Sequence, residues 1–204
     1  MKFFDLGVRS GDPEVLRMAK VLGFSGVGIL QPFSKGARDS PEKPPLQVVL
    51  GVEMQKASQA RDVRREWELI AVRGDDRNAV ETPQADIVFP REINHVLARL
   101  AKKNNVAIGF EFSALLHSSK RGREEVLARY FEISRVARKH RTAIVMTSGA
   151  LSAWDLRSPS DLIAFGKVLG FSESQALAGL SGRILEENRK RLGKKWIAPG
   201  IELD

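Results

Sequence analysis

Cysteine is absent from the 204-residue sequence, so a disulfide framework and thiolate chemistry are both excluded. Histidine is scarce, with His95, His117 and His140 the complete set, which leaves little material for a histidine-rich hydrolytic metal centre. No apolar run reaches the roughly eighteen residues that a membrane-spanning helix needs. The first residues, MKFFDLGVRSGD, lack the apolar stretch and cleavage site of a signal peptide. Together with the missing cysteine, this leads us to expect a cytoplasmic protein with no membrane association. Glycine-rich fingerprints are missing too: Gly7-Val8-Arg9-Ser10-Gly11 fits neither a dinucleotide-binding turn nor a P-loop. Ser148-Gly149 does not sit in a nucleophile elbow, and no histidine clearly pairs with it. Acidic residues are in deficit, with Asp+Glu 25 against Lys+Arg 33 and a formal charge of +8, which suits a polyanionic partner such as nucleic acid.

What is present is an alternation of short apolar strands with amphipathic helical stretches. With 43% hydrophobic residues the chain can fill one substantial core, and no repeat, low-complexity segment or linker divides it. We therefore expect a single barrel-like domain over residues 1–204, with a basic tail from about residue 189. Seven strands are predicted, at 3–7, 26–30, 46–52, 68–72, 86–89, 106–110 and 143–146. Helices are expected from Asp12, over 91–103 with Ile93, Val96, Leu97 and Leu100 inward, over 123–139, and from Ser158-Pro159. A last helix, capped by Ser172, is expected to carry Leu177, Leu180, Ile184 and Leu185. Ser158 is a suitable N-cap, Pro159 a suitable first helical residue, and Asp161 complements the free N–H groups there. This pattern implies an α/β fold with mostly parallel strands, either a doubly wound sheet or a barrel short of one strand, and the missing nucleotide fingerprint favours the barrel.

In a parallel barrel the strand C-termini share one rim, here carrying Asp5, Arg9, Gln31, Glu53, Arg73, Arg91, Glu111, Ser113, Thr147 and Ser148. One reading of that rim is a metal-dependent phosphoesterase with Asp5, Glu53, Glu111 and His117 as ligands. The competing reading makes these polar strand ends structural, with Thr147-Ser148-Gly149-Ala150 a tight turn eased by Gly149. Trp154 is placed under its own loop, with base stacking as the alternative. Phe110 and Phe112 alternate with Glu111, so their rings should lie together and away from its carboxylate.

Three stretches carry a family resemblance: FDL near the start, IVFPREINHVLARLAKKNNVAIGFEFS in the middle, and IVMTSGALSAWDLRSPSDLIAFGKVLGFSESQA towards the end. They resemble the thirty-kilodalton protein-subunit family of archaeal and eukaryotic ribonuclease P, also called ribonuclease P protein component 3. The resemblance implies a TIM-barrel-like fold related to polymerase-and-histidinol-phosphatase domains. It also implies a subunit that binds the catalytic ribonuclease P RNA and supports removal of the 5′ leader from precursor tRNA. The expected partners are that RNA, precursor tRNA in the holoenzyme, a small ferredoxin-like protein subunit and other ribonuclease P proteins. The related phosphoesterases carry an HxH pair at the first strand, whereas this chain has Phe4-Asp5-Leu6-Gly7-Val8. No catalytic or metal-ligating residue is therefore expected on this reading, and no cofactor bound by the protein itself; Mg²⁺ would serve the RNA catalyst. Because RNA is held chiefly through phosphates, the candidate contacts are loop cations: Lys35, Arg38, Arg73, Arg77, Arg91, Lys120, Arg121, Arg123 and Arg157. Residues 118–123 are read as a loop sharing one phosphate-binding rim with Arg157, and helix-face cations such as Lys102 as plain surface.

Overall fold

The computed structural model describes residues 2–33, 40–81, 84–192, 196–198 and 201–202. Along the chain run β1 (Phe4–Val8), α1 (Pro13–Val21), β2 (Gly26–Pro32), β3 (Gln47–Met54), α2 (Ala60–Val63), β4 (Leu69–Arg73), α3 (Asn78–Glu81) and β5 (Ile87–Phe89). They are followed by α4 (His95–Lys103), β6 (Ala107–Glu111), α5 (Ser113–Leu116), α6 (Lys120–His140), β7 (Ile144–Thr147), α7 (Pro159–Val168), α8 (Glu173–Ala178) and α9 (Arg183–Leu192). A small antiparallel pair, β8 (Trp196–Ala198) and β9 (Ile201–Glu202), comes last. The first seven strands pair in sequence order, every neighbour parallel, and the sheet curls into a nearly closed barrel wrapped by helices. That is the TIM-barrel-like α/β fold expected from the sequence.

Buried parallel strands are apolar on both faces, and alternation sorts their residues into two cores. Phe4, Leu6, Leu30, Val49, Leu69, Ala71, Ile87, Phe89, Ala107 and Val145 fill the barrel interior. Val27, Ile29, Val52, Ile70, Val72, Val88, Ile108, Phe110 and Met146 face the helices. Phe110 stacks edge-on against Tyr130 and Phe171, and Phe112 against Phe165, so both rings lie in the outer layer, as their alternation with Glu111 requires.

The barrel has a seam where β1 meets β7, and side chains bridge it. Buried Asp5 accepts hydrogen bonds from the Thr147 hydroxyl and, at 3.2 Å to each carboxylate oxygen, from the Ser148 N–H. Arg9 N–H donates to the Ala150 carbonyl at 2.8 Å. Gly7 makes this approach possible, since a Cβ there would lie 2.4 Å from Thr147 Oγ1. Burial pushes the Asp5 carboxyl above its ordinary value, and the hydrogen bonds from Ser148, Thr147 and Gly7 pull it partly back.

The N-terminal ends of the strands are sealed by α9. Its Leu185 joins the interior core, and Asn188 Nδ2 donates to the Glu68 carbonyl at 2.7 Å. Asn188 Oδ1 in turn meets Arg64 Nη2 at 3.4 Å, and buried Arg64 forks onto buried Asp86.

Three expectations require correction. The helix expected from Ser172 through Leu185 is two helices, because Gly182 (φ +69°) takes a left-handed conformation and turns α9 across the barrel floor. The helix expected over 91–103 begins at His95, where the Asn94 side chain accepts from the N–H groups of Val96 and Leu97. Its innermost residues are Ala98 and Ala101, while Val96 is 48% exposed, because α4 packs closely enough that small residues occupy the contact. The segment 118–123, expected as a loop, becomes helical at Lys120, because Ser119 caps α6 by accepting from Gly122 N–H. Among the described residues no helix is long and apolar enough to cross a membrane.

Candidate nucleic-acid interface at the barrel mouth

Three strands carry a charged residue at or next to the C-terminal end, in the position that continues the inward-facing row: Glu53 on β3, Arg73 on β4 and Glu111 on β6. Arg9, one residue beyond β1, reaches the same place. Arg73 engages both carboxylates. Its Nε and Nη2 donate to Glu53 at 2.9 and 2.8 Å, and its Nη1 and Nη2 donate to Glu111 at 2.8 and 2.7 Å. Arg9 Nη2 bridges the same pair from the other side, at 3.2 Å from Glu53 and in direct contact with Glu111. The Arg73 guanidinium also lies 4.8 Å from the centre of the Phe89 ring.

Two guanidiniums and two carboxylates thus form a charge-neutral plug across the barrel mouth. Planar forked donors match carboxylates in pairs, so the plug satisfies charges that would otherwise be half-buried and unpaired. Burial alone would raise the Glu53 carboxyl, but the hydrogen bonds and charges of Arg73 and Arg9 outweigh it and hold Glu53 below the usual carboxylate range. Arg73 moves upward despite its burial, because both glutamates favour its charged form. Under the plug, the Tyr130 hydroxyl donates to the Glu111 carbonyl at 3.1 Å, and burial, with the Glu111 charge, pushes it up to about 12.

The phosphoesterase reading does not survive this geometry. Glu53 and Glu111 are each shared by two arginines, so cationic side chains already take the lone pairs that a metal ion would need. Asp5 is spent on the seam, and His117 Nε2 sits 3.1 Å from Asp155 Oδ1 in a different loop contact. Among the described residues no three of His, Asp and Glu group as a metal site requires.

Above the plug, the loops after β6 and β7 form a joined platform. Asp155 Oδ2 accepts from the N–H groups of Leu151 and Ser152, both at 3.1 Å, which fixes the β7–α7 loop while Oδ1 meets His117. Gly149 (φ +67°) makes the turn out of β7, and a Cβ there would lie 2.2 Å from Ser113 Oγ. Asp155 holds this loop through its backbone, so no aromatic ring is needed beneath it. Trp154 accordingly stands 83% exposed, contrary to the expectation that it packs under the loop. Leu151 is exposed nearby and lines a cleft of about 610 Å³ with Arg9, Pro32, Phe33, Glu53 and Lys56.

The cations expected to meet RNA fall into distinct groups. Lys35 and Arg38 lie outside the described residues. Arg73 belongs to the plug and is not a loop cation, because β4 carries it to the barrel axis. Arg77 pairs with Glu81 one helical turn on, and Arg91 is exposed, its N–H donating to Asp75 Oδ1 at 2.7 Å. Lys120 and Arg121 form the exposed first turn of α6, with Arg121 facing Glu125 at 3.4 Å. Arg123 turns back to the carbonyls of Leu115 and Ser118, at 3.1 and 3.3 Å. Arg157 donates to the carbonyls of Trp154 and Leu156, at 3.0 and 2.7 Å, and lies over the Phe112 ring. Arg123 and Arg157 therefore shape the platform, while Lys120, Arg121 and Trp154 present themselves to solvent. The sequence puts Arg9 on the rim but gives it no role; opposite charges at inward strand ends are the signal that pairs it.

Comparison with known proteins places this geometry. The family model described as RNase P subunit p30 matches residues 2–192. The chain is 31% identical to ribonuclease P protein component 3 of Methanothermobacter thermautotrophicus, over 100% of this chain and 96% of that one. It is 31% identical to the protein of the same name from Methanosarcina mazei, over 93% of this chain and 88% of that one. A chain from a cryo-EM structure of archaeal ribonuclease P with mature tRNA superposes with a TM-score of 0.85 at 24% identity, covering 98% of this chain and 96% of that one. An ochratoxinase from A. niger shares the barrel more distantly, with a TM-score of 0.58 at 8% identity over 87% of this chain and 69% of that one.

Proposed function

The chain belongs to the RNase P subunit p30 family, the protein component 3 of ribonuclease P, and from that premise we propose how it serves that ribonucleoprotein. It binds the catalytic RNA through its basic platform and supports removal of the 5′ leader from precursor tRNA. The observation that carries the reading is the arginine–glutamate plug. It closes the barrel mouth with a neutral network in which Arg9 and Arg73 both hold Glu53 and Glu111, so neither carboxylate is free to act as general base or metal ligand. The barrel then works through its surface. Lys120 and Arg121 supply phosphate contacts, and Trp154 offers a face on which an unpaired base can stack. Mg²⁺ acts with the RNA, and the protein binds no cofactor of its own. Its protein partners include a small ferredoxin-like subunit, and the assembly works in the cytoplasm.

Reconstitution tests this. The purified chain alone leaves precursor tRNA intact, and its addition with its protein partner to the cognate RNA lowers the Mg²⁺ concentration needed for cleavage. Robust cleavage by the protein alone, lost in Glu111→Gln, would overturn the proposal.

A further inference from the structure

A second charged surface lies away from the platform, where the C-terminal ends of α4 and α6 come together. The end of α6 also reaches the start of α4, where His140 Nε2 lies 3.0 Å from His95 Nδ1 with the two rings edge to face. Beside this pair is an open cleft of about 600 Å³ lined by Arg99, Lys102, Lys103, Lys139, His140 and Arg141. Every lining residue is basic. No carboxylate occurs anywhere in α4, and the last one in α6, Glu132, is taken by Arg135.

The ordinary explanation is that basic residues favour helix C-termini, where the macrodipole is negative. That explanation is too small here. Two helix ends supply the equivalent of about one negative charge between them. Five permanent cations and a histidine line the cleft. The excess repels itself, so the fold alone has no use for it. Neighbouring positive charge is felt locally: loss of solvent contact, then the charges of His95, Arg99, Lys139 and Lys102, hold His140 below its ordinary value. The lining also has no apolar centre of the kind a protein partner buries, and it suits a ligand of closely spaced anions.

We propose that the α4–α6 end cleft is a second RNA-backbone site, in which Arg99, Lys102, Lys103, Lys139 and Arg141 neutralise consecutive phosphates and His95 and His140 stand beside them as additional donors. It rests on the reading of the chain as a ribonuclease P subunit and adds to it a contact surface separate from the platform. The protein then meets the RNA on two faces, with the barrel as a rigid spacer between them.

The test is binding of the cognate ribonuclease P RNA by the full chain with its protein partner, measured against salt for wild type and for Arg99→Gln/Lys102→Gln/Lys103→Gln/Lys139→Gln. Loss of four phosphate contacts flattens the log–log salt slope by about three units and weakens binding at least about tenfold near physiological salt. The variant keeps or raises its melting temperature, because like-charge repulsion is relieved and no ion pair is broken. In parallel, the apparent pKa of His140, followed by NMR, rises when RNA is added to wild type. Unchanged affinity and slope in the folded variant overturn the second site while leaving the platform reading intact. Loss of binding to the protein partner, with RNA affinity retained, overturns it in favour of a protein-docking role. Failure of the wild-type protein to bind the RNA overturns both.

Discussion

Arg73 shows how much one side chain decides. Had it projected from a loop, it would be one more solvated cation. At the end of β4 it serves two carboxylates and an aromatic face at once. Arg73→Ala therefore leaves Glu53 and Glu111 with Arg9 alone. We expect a loss of about 2–4 kcal/mol in urea denaturation, below the upper range for fully buried pairs because the plug is open to solvent on one side. The pH dependence has a definite sign. Glu53 is depressed in the folded state, so its stabilisation is present above the unfolded carboxylate value and lost as pH falls through the folded one. In Arg73→Ala the Glu53 carboxyl is less depressed, so that acid loss shrinks, which urea midpoints measured across acid pH would show. Trp154 gives the opposite profile. It is exposed, so Trp154→Ala leaves the urea midpoint within about 0.5 kcal/mol of wild type. If a base stacks there, the same change weakens RNA binding by about 1–3 kcal/mol.

At the scale of elements, the strand–turn–helix unit from β7 to α7 binds most of the platform together. Ser158 and Asp161 form a reciprocal cap at the start of α7, as their spacing in the sequence implies. The tighter constraint lies at Gly149. Gly149→Ala adds a methyl group against Ser113 in a left-handed backbone, and we expect a cost of about 2–4 kcal/mol by thermal or urea unfolding, well above an ordinary surface substitution. Helix α6 changes what can be expected of residues 118–123. Once Ser119 caps the helix, Arg123, although exposed, is bound to the Leu115 and Ser118 carbonyls, whereas Lys120 and Arg121 project from the first turn. The triple substitution Lys120→Ala/Arg121→Ala/Arg123→Ala should then flatten the salt slope of RNA binding by about one to two units, fewer than three phosphate contacts would give. A decrease of three would show Arg123 leaving its carbonyls for the RNA.

For the whole molecule, the decisive feature is how seven strands close without an eighth. Asp5 and Gly7 on β1 and Thr147 and Ser148 on β7 make the seam. Because burial raises the Asp5 carboxyl, its contribution to stability is complete below the unfolded carboxylate value and is lost as pH rises through the folded one. Asp5→Asn cannot ionise, so it should remove part of the decline in stability between acid and neutral pH, read from urea midpoints across that range. Asp5→Ala, which leaves the Thr147 hydroxyl and the Ser148 N–H without their acceptor, should cost about 1–3 kcal/mol at every pH.

The sequence by itself determined seven strands alternating with helices, an α/β fold with a barrel as its favoured form, and the excess of positive charge, because short apolar runs, helix caps and composition are local properties. It also carried the family resemblance, spread over nearly the whole chain. What it could not determine was which charges neutralise one another. Arg9 and Glu111 are 102 residues apart, and only barrel closure brings them into contact. The same holds for the α4–α6 cleft: in sequence Lys102 reads as plain helix surface, and its shared excess of charge with Lys139 exists only once α4 and α6 pack together. Local free energies are written along the chain, whereas pairing energies depend on distances that only packing sets.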